Sequence, residues 1–256
     1  MNKETRAIVI GMLGGLLLAI TLSGKFTSYV KPGFRPMLLI AGGVLVVLAI
    51  VSLVMALRDD ARPAGEHEHL PESSEDLAHV GHQHSSRAPW LMLAPVLVLL
   101  FVAPPALGAD SVDRGINCGT PAPAGTTYAS RRVQAADPLP VGDPVPLTMQ
   151  DFVQRSLYDT AYSTVTTDIE VEAFVSRSNC DGAGYSLVRL KISCCAADAI
   201  AIRAHVDAPP QYPSDTWVRA VIRAVKDSGD QGDNYVPTAT VISLTPIIQP
   251  ADPYLT

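Results

Sequence analysis

The sequence predicts a membrane protein in two parts: an α-helical N-terminal region with three spans, and an all-β C-terminal domain built as an OB-like five-stranded barrel, with a β-sandwich as the alternative. Three observations predict it. Long apolar runs are confined to the first 109 residues, the acidic excess is confined to residues 110–256, and period-two alternation starts only at Ile169. Of the 256 residues, 1–57 are assigned to two membrane helices, 58–88 to a polar connector, 89–109 to a third span, 110–147 to a tether and 148–256 to the β domain.

Ala7–Phe26 (AIVIGMLGGLLLAITLSGKF) has the length that a bilayer demands of one helix, with Lys25 close to its end. Pro36–Leu57 is a second such run without a single charge. A third, Ala88–Ala109, opens with Trp90 and is interrupted by Pro95, Pro104 and Pro105. Lys3 and Arg6 before the first run also suit a cleavable secretory signal, but no small-x-small cleavage site follows and a second full-length run begins shortly after. Gly11, Gly15, Ala19 and Ser23 recur every four residues, a stripe along which another helix could approach closely.

Residues 1–109 hold eight basic and eight acidic side chains, so the net charge of −6 belongs to residues 110–256. That half repels a phosphate backbone, which excludes nucleic acid as a partner. With the N-terminus in the cytoplasm, Lys3, Arg6, Arg58, Arg62 and Arg87 lie inside, against Lys25, Lys31, Arg35 and Arg114 outside. Residues 110–256 contain only Lys191 and Lys226 as lysines, which also favours an extracytoplasmic C-terminal domain on a multi-pass membrane protein.

The connector RDDARPAGEHEHLPESSEDLAHVGHQHSSRA carries five of the six histidines: His67, His69, His79, His82 and His84. Imidazole nitrogens interleaved with Glu66 and Glu68 suit zinc or a similar ion. A flexible loop must lose entropy to enclose an ion, so the expected sites are weak and exchangeable; the alternative is a solvated loop that binds nothing.

Asp110–Pro146 is rich in Pro, Gly, Ala and Ser and reads as a semi-extended tether. A helix follows, with Thr148 as cap, Asp151 three residues on, and Phe152, Val153, Leu157 and Tyr158 as its apolar face. Strands are expected at 169–175, 185–195, 199–207, 216–226 and 239–247. Five short strands close into a barrel more readily than they leave an open sheet with exposed edges. Asp227–Asn234 (DSGDQGDN) does not match a calcium-binding loop and reads as a hairpin connection.

Two of the four cysteines are adjacent, in Ser193–Ala199 (SCCAADA). If the second strand runs regularly to residue 195, Cys194 shares the core face with Val188, Leu190 and Ile192, and Cys195 the solvent face with Arg189 and Lys191. Basic neighbours favour a thiolate, which is both metal ligand and nucleophile. Asp198 and His205 are candidates to complete a site with Cys195, whereas Cys180 is a candidate disulfide partner for either cysteine outside the cell. Inert packing is the remaining reading of Cys194 and Cys195. No phosphate-binding glycine loop, nucleophile elbow or zinc-protease helix motif occurs, so an enzymatic activity is not expected.

Hydrophobic N-terminal helices, a His-rich connector, Cys194-Cys195 followed by Asp198-Ala199, the strand Val171–Val175 and the terminal Pro253-Tyr254-Leu255 together resemble the YcgQ-like family of two-component permease subunits. The resemblance spans the whole architecture, with Ala173 where glycine is more usual. It implies partnership with a separate multi-span permease and, through association with zinc-responsive genes, traffic in a divalent metal. The expected function is that of an accessory membrane subunit of a divalent-metal permease, with zinc the favoured ion. His67, His69, His79, His82 and His84 would capture ions, and Cys194, Cys195, Asp198 and His205 would bind or relay them. A membrane-anchored thiol redox protein and a structural assembly factor are the alternatives.

Overall fold

The structure, a computed structural model, describes residues 3–60, 105–115, 136–178, 183–229 and 234–256. It divides into two compact units, Met1–Phe26 with Gly33–Pro105, and Thr27–Pro32 with Ala106–Thr256. The connector histidines His67, His69, His79, His82 and His84, together with Cys118 and Cys180, lie outside the described residues.

In the first unit, α1 (Lys3–Leu22) packs on α2 (Arg35–Asp60). The buried positions are Ala7, Gly14 and Thr21 on α1 and Gly42, Ala49 and Ala56 on α2, two stripes of small residues with a spacing of seven. A Cβ on Gly14 would stand 2.9 Å from Leu45 Cβ and 3.1 Å from Gly42 O, and one on Gly11 would stand 3.3 Å from Ala49 Cβ. The helices therefore run antiparallel with their backbones nearly touching, which only small side chains permit. Gly15 has open space around it, so the working stripe is the seven-residue one, not the four-residue one expected. Along α2 the large side chains Met37, Ile40, Val47, Ile50 and Met55 stay exposed.

The three expected spans are corrected by this unit. Among the described residues one helix, Pro32–Arg58, is long and apolar enough to cross a membrane. The first apolar run is shorter than predicted because the helix stops at Leu22; Gly24 adopts a left-handed φ of 77° and Lys25–Ser28 forms a 3-10 turn. Most of the predicted third span lies outside the described residues, and its last residues belong to the C-terminal unit. Leu107 donates its N–H to the Tyr254 hydroxyl at 2.9 Å, and Ala109 opens a short helix, α3 (Ala109–Gly115).

The C-terminal unit contains β1 (Val145–Pro146), α4 (Met149–Tyr158), α5 (Ser163–Thr166), β2 (Ile169–Ser176), β3 (Tyr185–Lys191), β4 (Ile200–Val206), β5 (Trp217–Ala224), β6 (Ala239–Pro246) and β7 (Tyr254–Leu255). The five predicted strands all form, yet the expected five-stranded barrel and the sandwich alternative are both overturned by a single seven-stranded sheet. Its antiparallel path runs β4-β3-β2-β5-β6, with β1 paired parallel to β2 and β7 parallel to β3. Strands of two residues have no periodicity to read, which is why β1 and β7 were hidden in the tether and the tail.

Both sheet faces are covered. Ile169, Val171, Ala173 and Val175 of β2 pack with Leu187, Val218, Ile222 and Phe152 of α4. Phe174, Val188, Leu190, Ile192, Trp217 and Tyr254 pack on the other side against Ala109 and Val112 of α3. Thr148 caps α4 as the sequence predicts, its hydroxyl accepting the Asp151 N–H at 3.0 Å. The segment from Asp227 joins β5 to β6 as the expected hairpin, with left-handed φ at Asp227 and Gly229.

Candidate metal centre

β3 ends at Lys191, four residues before the predicted end of the strand. The cause is local competition for backbone donors. Ile192 gives its N–H to Leu255 O at 3.0 Å, so β7 takes the last rung. The next amides turn to one side chain: Asp198 accepts the N–H groups of Ser193 at 2.8 Å, Cys194 at 2.8 Å and Cys195 at 3.4 Å. Asp198 sits in a 3-10 turn, Ala196–Asp198, and gathers the loop around its carboxylate.

This loop reverses the expected disposition of the cysteines. Cys194, predicted to face the core, is exposed, and Cys195 is half-buried. Both are free thiols, with Cys194 Sγ 3.6 Å from Cys195 Sγ. One ligand atom from each of Cys194, Cys195 and Asp198 lies within 4.8 Å of the others. In a tetrahedral zinc site with Zn–S of about 2.3 Å, two sulfurs stand about 3.8 Å apart, close to the spacing seen here.

The hydrogen bond to the Asp198 carboxylate, followed by the Cys195 sulfur, pushes the Cys194 thiol up to about 12. The same bond, with the Ser193 and Cys194 amides, holds the Asp198 carboxyl at about 2. At neutral pH the pair is thus a carboxylate sharing the Cys194 proton. A divalent cation can take that proton's place.

His205 is not part of this group. It lies on β4 opposite Ser186 of β3, five residues along from Ile200, or about 17 Å at the rise of a strand, and its N–H donates to Pro237 O at 2.9 Å. The period-two pattern gave its strand and face but not its distance from Cys195.

A segment that sequence reasoning missed completes the loop. Thr27–Pro32, which follows α1 in sequence, belongs to the C-terminal unit. Val30 forms an antiparallel bridge with Cys195, Ala196 donates its N–H to Tyr29 O at 2.8 Å, and Lys31 donates its N–H to Cys194 O at 3.1 Å. The strap is too short to show a strand period between Lys25 and Pro32, so no sequence signal marked it.

Residues 5–115 match the DUF1980 N-terminal domain and residues 126–255 match the DUF1980 C-terminal domain. The chain belongs to the DUF1980 family. Both cysteines, Asp198 and His205 fall within the part matched to the DUF1980 C-terminal domain. The strap falls within the part matched to the N-terminal one. No curated protein and no solved structure matches the chain.

Proposed function

We propose that the chain is a membrane-attached accessory subunit of a divalent-metal permease, and that Cys194, Cys195 and Asp198 bind the ion, zinc being the one their donors fit best. The observation that carries this reading is the pair of sulfurs 3.6 Å apart with a carboxylate oxygen in the same cluster. Two thiolates and one carboxylate are an acceptable zinc set with one position left open. An open position at an exposed loop favours ion exchange over permanent structural binding. The connector histidines His67, His69, His79, His82 and His84 would supply ions to the same traffic.

Membrane attachment through α2 is supported by its length and by the large apolar side chains it leaves exposed, which water does not tolerate over such an area. The scarcity of lysine in residues 110–256 supports an extracytoplasmic C-terminal unit. The transport path itself would belong to a partner permease.

The test is a zinc titration of the full chain in detergent, wild type against Cys195→Ser and Asp198→Asn. One tight site per chain, lost in Cys195→Ser, is the expected result. Equal zinc uptake by all three proteins would remove Cys195 and Asp198 from the site.

A further inference from the structure

The loop that carries the two sulfurs of the candidate metal centre is held from two sides. On one side Asp198 takes the N–H of Cys194 at 2.8 Å and that of Cys195 at 3.4 Å. Cys195 is flanked by two main-chain bonds to the strap, Lys31 N–H to Cys194 O and Ala196 N–H to Tyr29 O, which bracket it on either side. The loop that presents the two sulfurs 3.6 Å apart is thus held by the strap as well as by Asp198.

The strap is in turn anchored to the C-terminal tail. Thr27 Oγ1 donates to Ala251 O at 2.9 Å, and the Tyr254 hydroxyl donates to Ser28 O at 3.0 Å. That tail is tied to the sheet by Arg189, whose Nη2 donates to Asp252 O at 2.6 Å while its guanidinium lies over the Trp217 ring. Arg189 is itself buried, so its anchorage is firm. A continuous set of bonds thus leads from the sheet core through the tail to the strap, and from the strap to Cys195.

We propose that Thr27–Pro32 is an integral part of the ion site: docking of the strap and occupancy by a divalent cation are linked, and each strengthens the other. This rests on Cys194, Cys195 and Asp198 binding the ion. Linkage is obligatory in both directions, because a strap that raises ion affinity must itself be stabilised by the ion to the same degree. The strap lies between α1 and α2 in sequence. Lys31 and Tyr29 are positioning residues, acting through their backbone.

The experiment is zinc affinity of the full chain in detergent, measured by competition with a chromogenic chelator, combined with amide hydrogen exchange. Lys31→Pro deletes the N–H that reaches Cys194 O and is expected to raise the zinc Kd about tenfold, or about 1.4 kcal/mol, as for one lost hydrogen bond. Lys31→Arg keeps that N–H and is expected to bind as the wild type does. Thr27→Val loosens the strap at an exposed site, keeps the measurement open if Lys31→Pro fails to fold, and is expected to raise Kd by roughly twofold to fivefold. Zinc is expected to slow exchange of the Lys31 and Ala196 amides in the wild type and not in Cys195→Ser, a response that a merely structural strap would not give. Stoichiometric zinc binding with unchanged Kd in Lys31→Pro and Thr27→Val, and unchanged exchange, would overturn the strap proposal and leave the metal reading standing. Absence of zinc binding by the wild type would overturn both.

Discussion

The Asp198 carboxylate accepts the Cys194 N–H at 2.8 Å, so the residue that would ligate an ion also builds the loop that presents the thiols. These roles are separable by substitution. Asp198→Asn retains an oxygen that can accept the loop amides but removes the negative charge, and Asp198→Ala removes both. Zinc affinity is expected to fall roughly tenfold to a hundredfold in Asp198→Asn and further in Asp198→Ala, as when groups that orient metal ligands are lost. Equal affinity in the two variants would show that Asp198 serves the ion only by charge.

Proton release is a second consequence of that contact. Cys194 stays protonated up to about 12, while Asp198, at about 2, is already ionised at neutral pH. Zinc must therefore displace the Cys194 proton, and Asp198 gives up none. Apparent affinity is expected to rise with pH through the neutral range and beyond, by about tenfold per pH unit for each proton released. Calorimetric titration in two buffers of different ionisation enthalpy counts those protons. A buffer-independent enthalpy would mean that the Cys194 thiol is not a ligand.

The helix pair offers a contrast between neighbouring glycines. A Cβ on Gly14 meets Leu45 Cβ at 2.9 Å and Val46 N at 3.0 Å, the latter a backbone atom that cannot swing aside, whereas a Cβ on Gly15 meets nothing within 4 Å. Gly14→Val is expected to destabilise the α1–α2 pair by about 2 kcal/mol through overpacking. Gly15→Ala is expected to be neutral or slightly stabilising, since alanine is the better helix former. Thermal unfolding in detergent checks both, and an equal response would place the helix crossing elsewhere.

What the sequence revealed and what it hid follow from the range of the interactions involved. The five longer strands were legible because each is a run of seven or eight strand-forming residues between turn signals, and the Thr148 cap because its partner Asp151 is three residues away. Cys194 was placed in the core by extending a period-two alternation past Lys191, where Leu255 and Asp198 in fact claim the backbone donors. The cluster of Cys194, Cys195 and Asp198 was readable because all three lie within five residues. The strap at Tyr29–Lys31 was not, because its partners are more than 160 residues away and the bonds use main-chain atoms that carry no sequence signature. The end of the first apolar run at Leu22 is set locally, by Gly24 and the turn after it, and apolar composition alone did not mark it.

Asp159 provides a test of stability well away from the thiols. Its carboxylate closes the turn between α4 and α5, accepting the N–H of Ala161 at 2.9 Å, the N–H of Ser163 at 3.1 Å and the Ser163 hydroxyl. Burial pushes its pKa up, but the Ser163 hydroxyl, the two amides and Arg155 together outweigh burial, and the carboxyl sits below the usual range. Because the folded value is depressed, the stability it confers is present in full above the unfolded value of about 4 and is lost as pH falls through the folded one. Asp159→Asn keeps the shape and removes the charge, so it is expected to cost about 1–2 kcal/mol at pH 7 and progressively less in acid, where the wild-type carboxylate is itself protonated. Thermal unfolding of both proteins at pH 7 and pH 3 checks this. A difference that stays constant between the two pH values would assign the loss to packing and not to the ionised carboxylate.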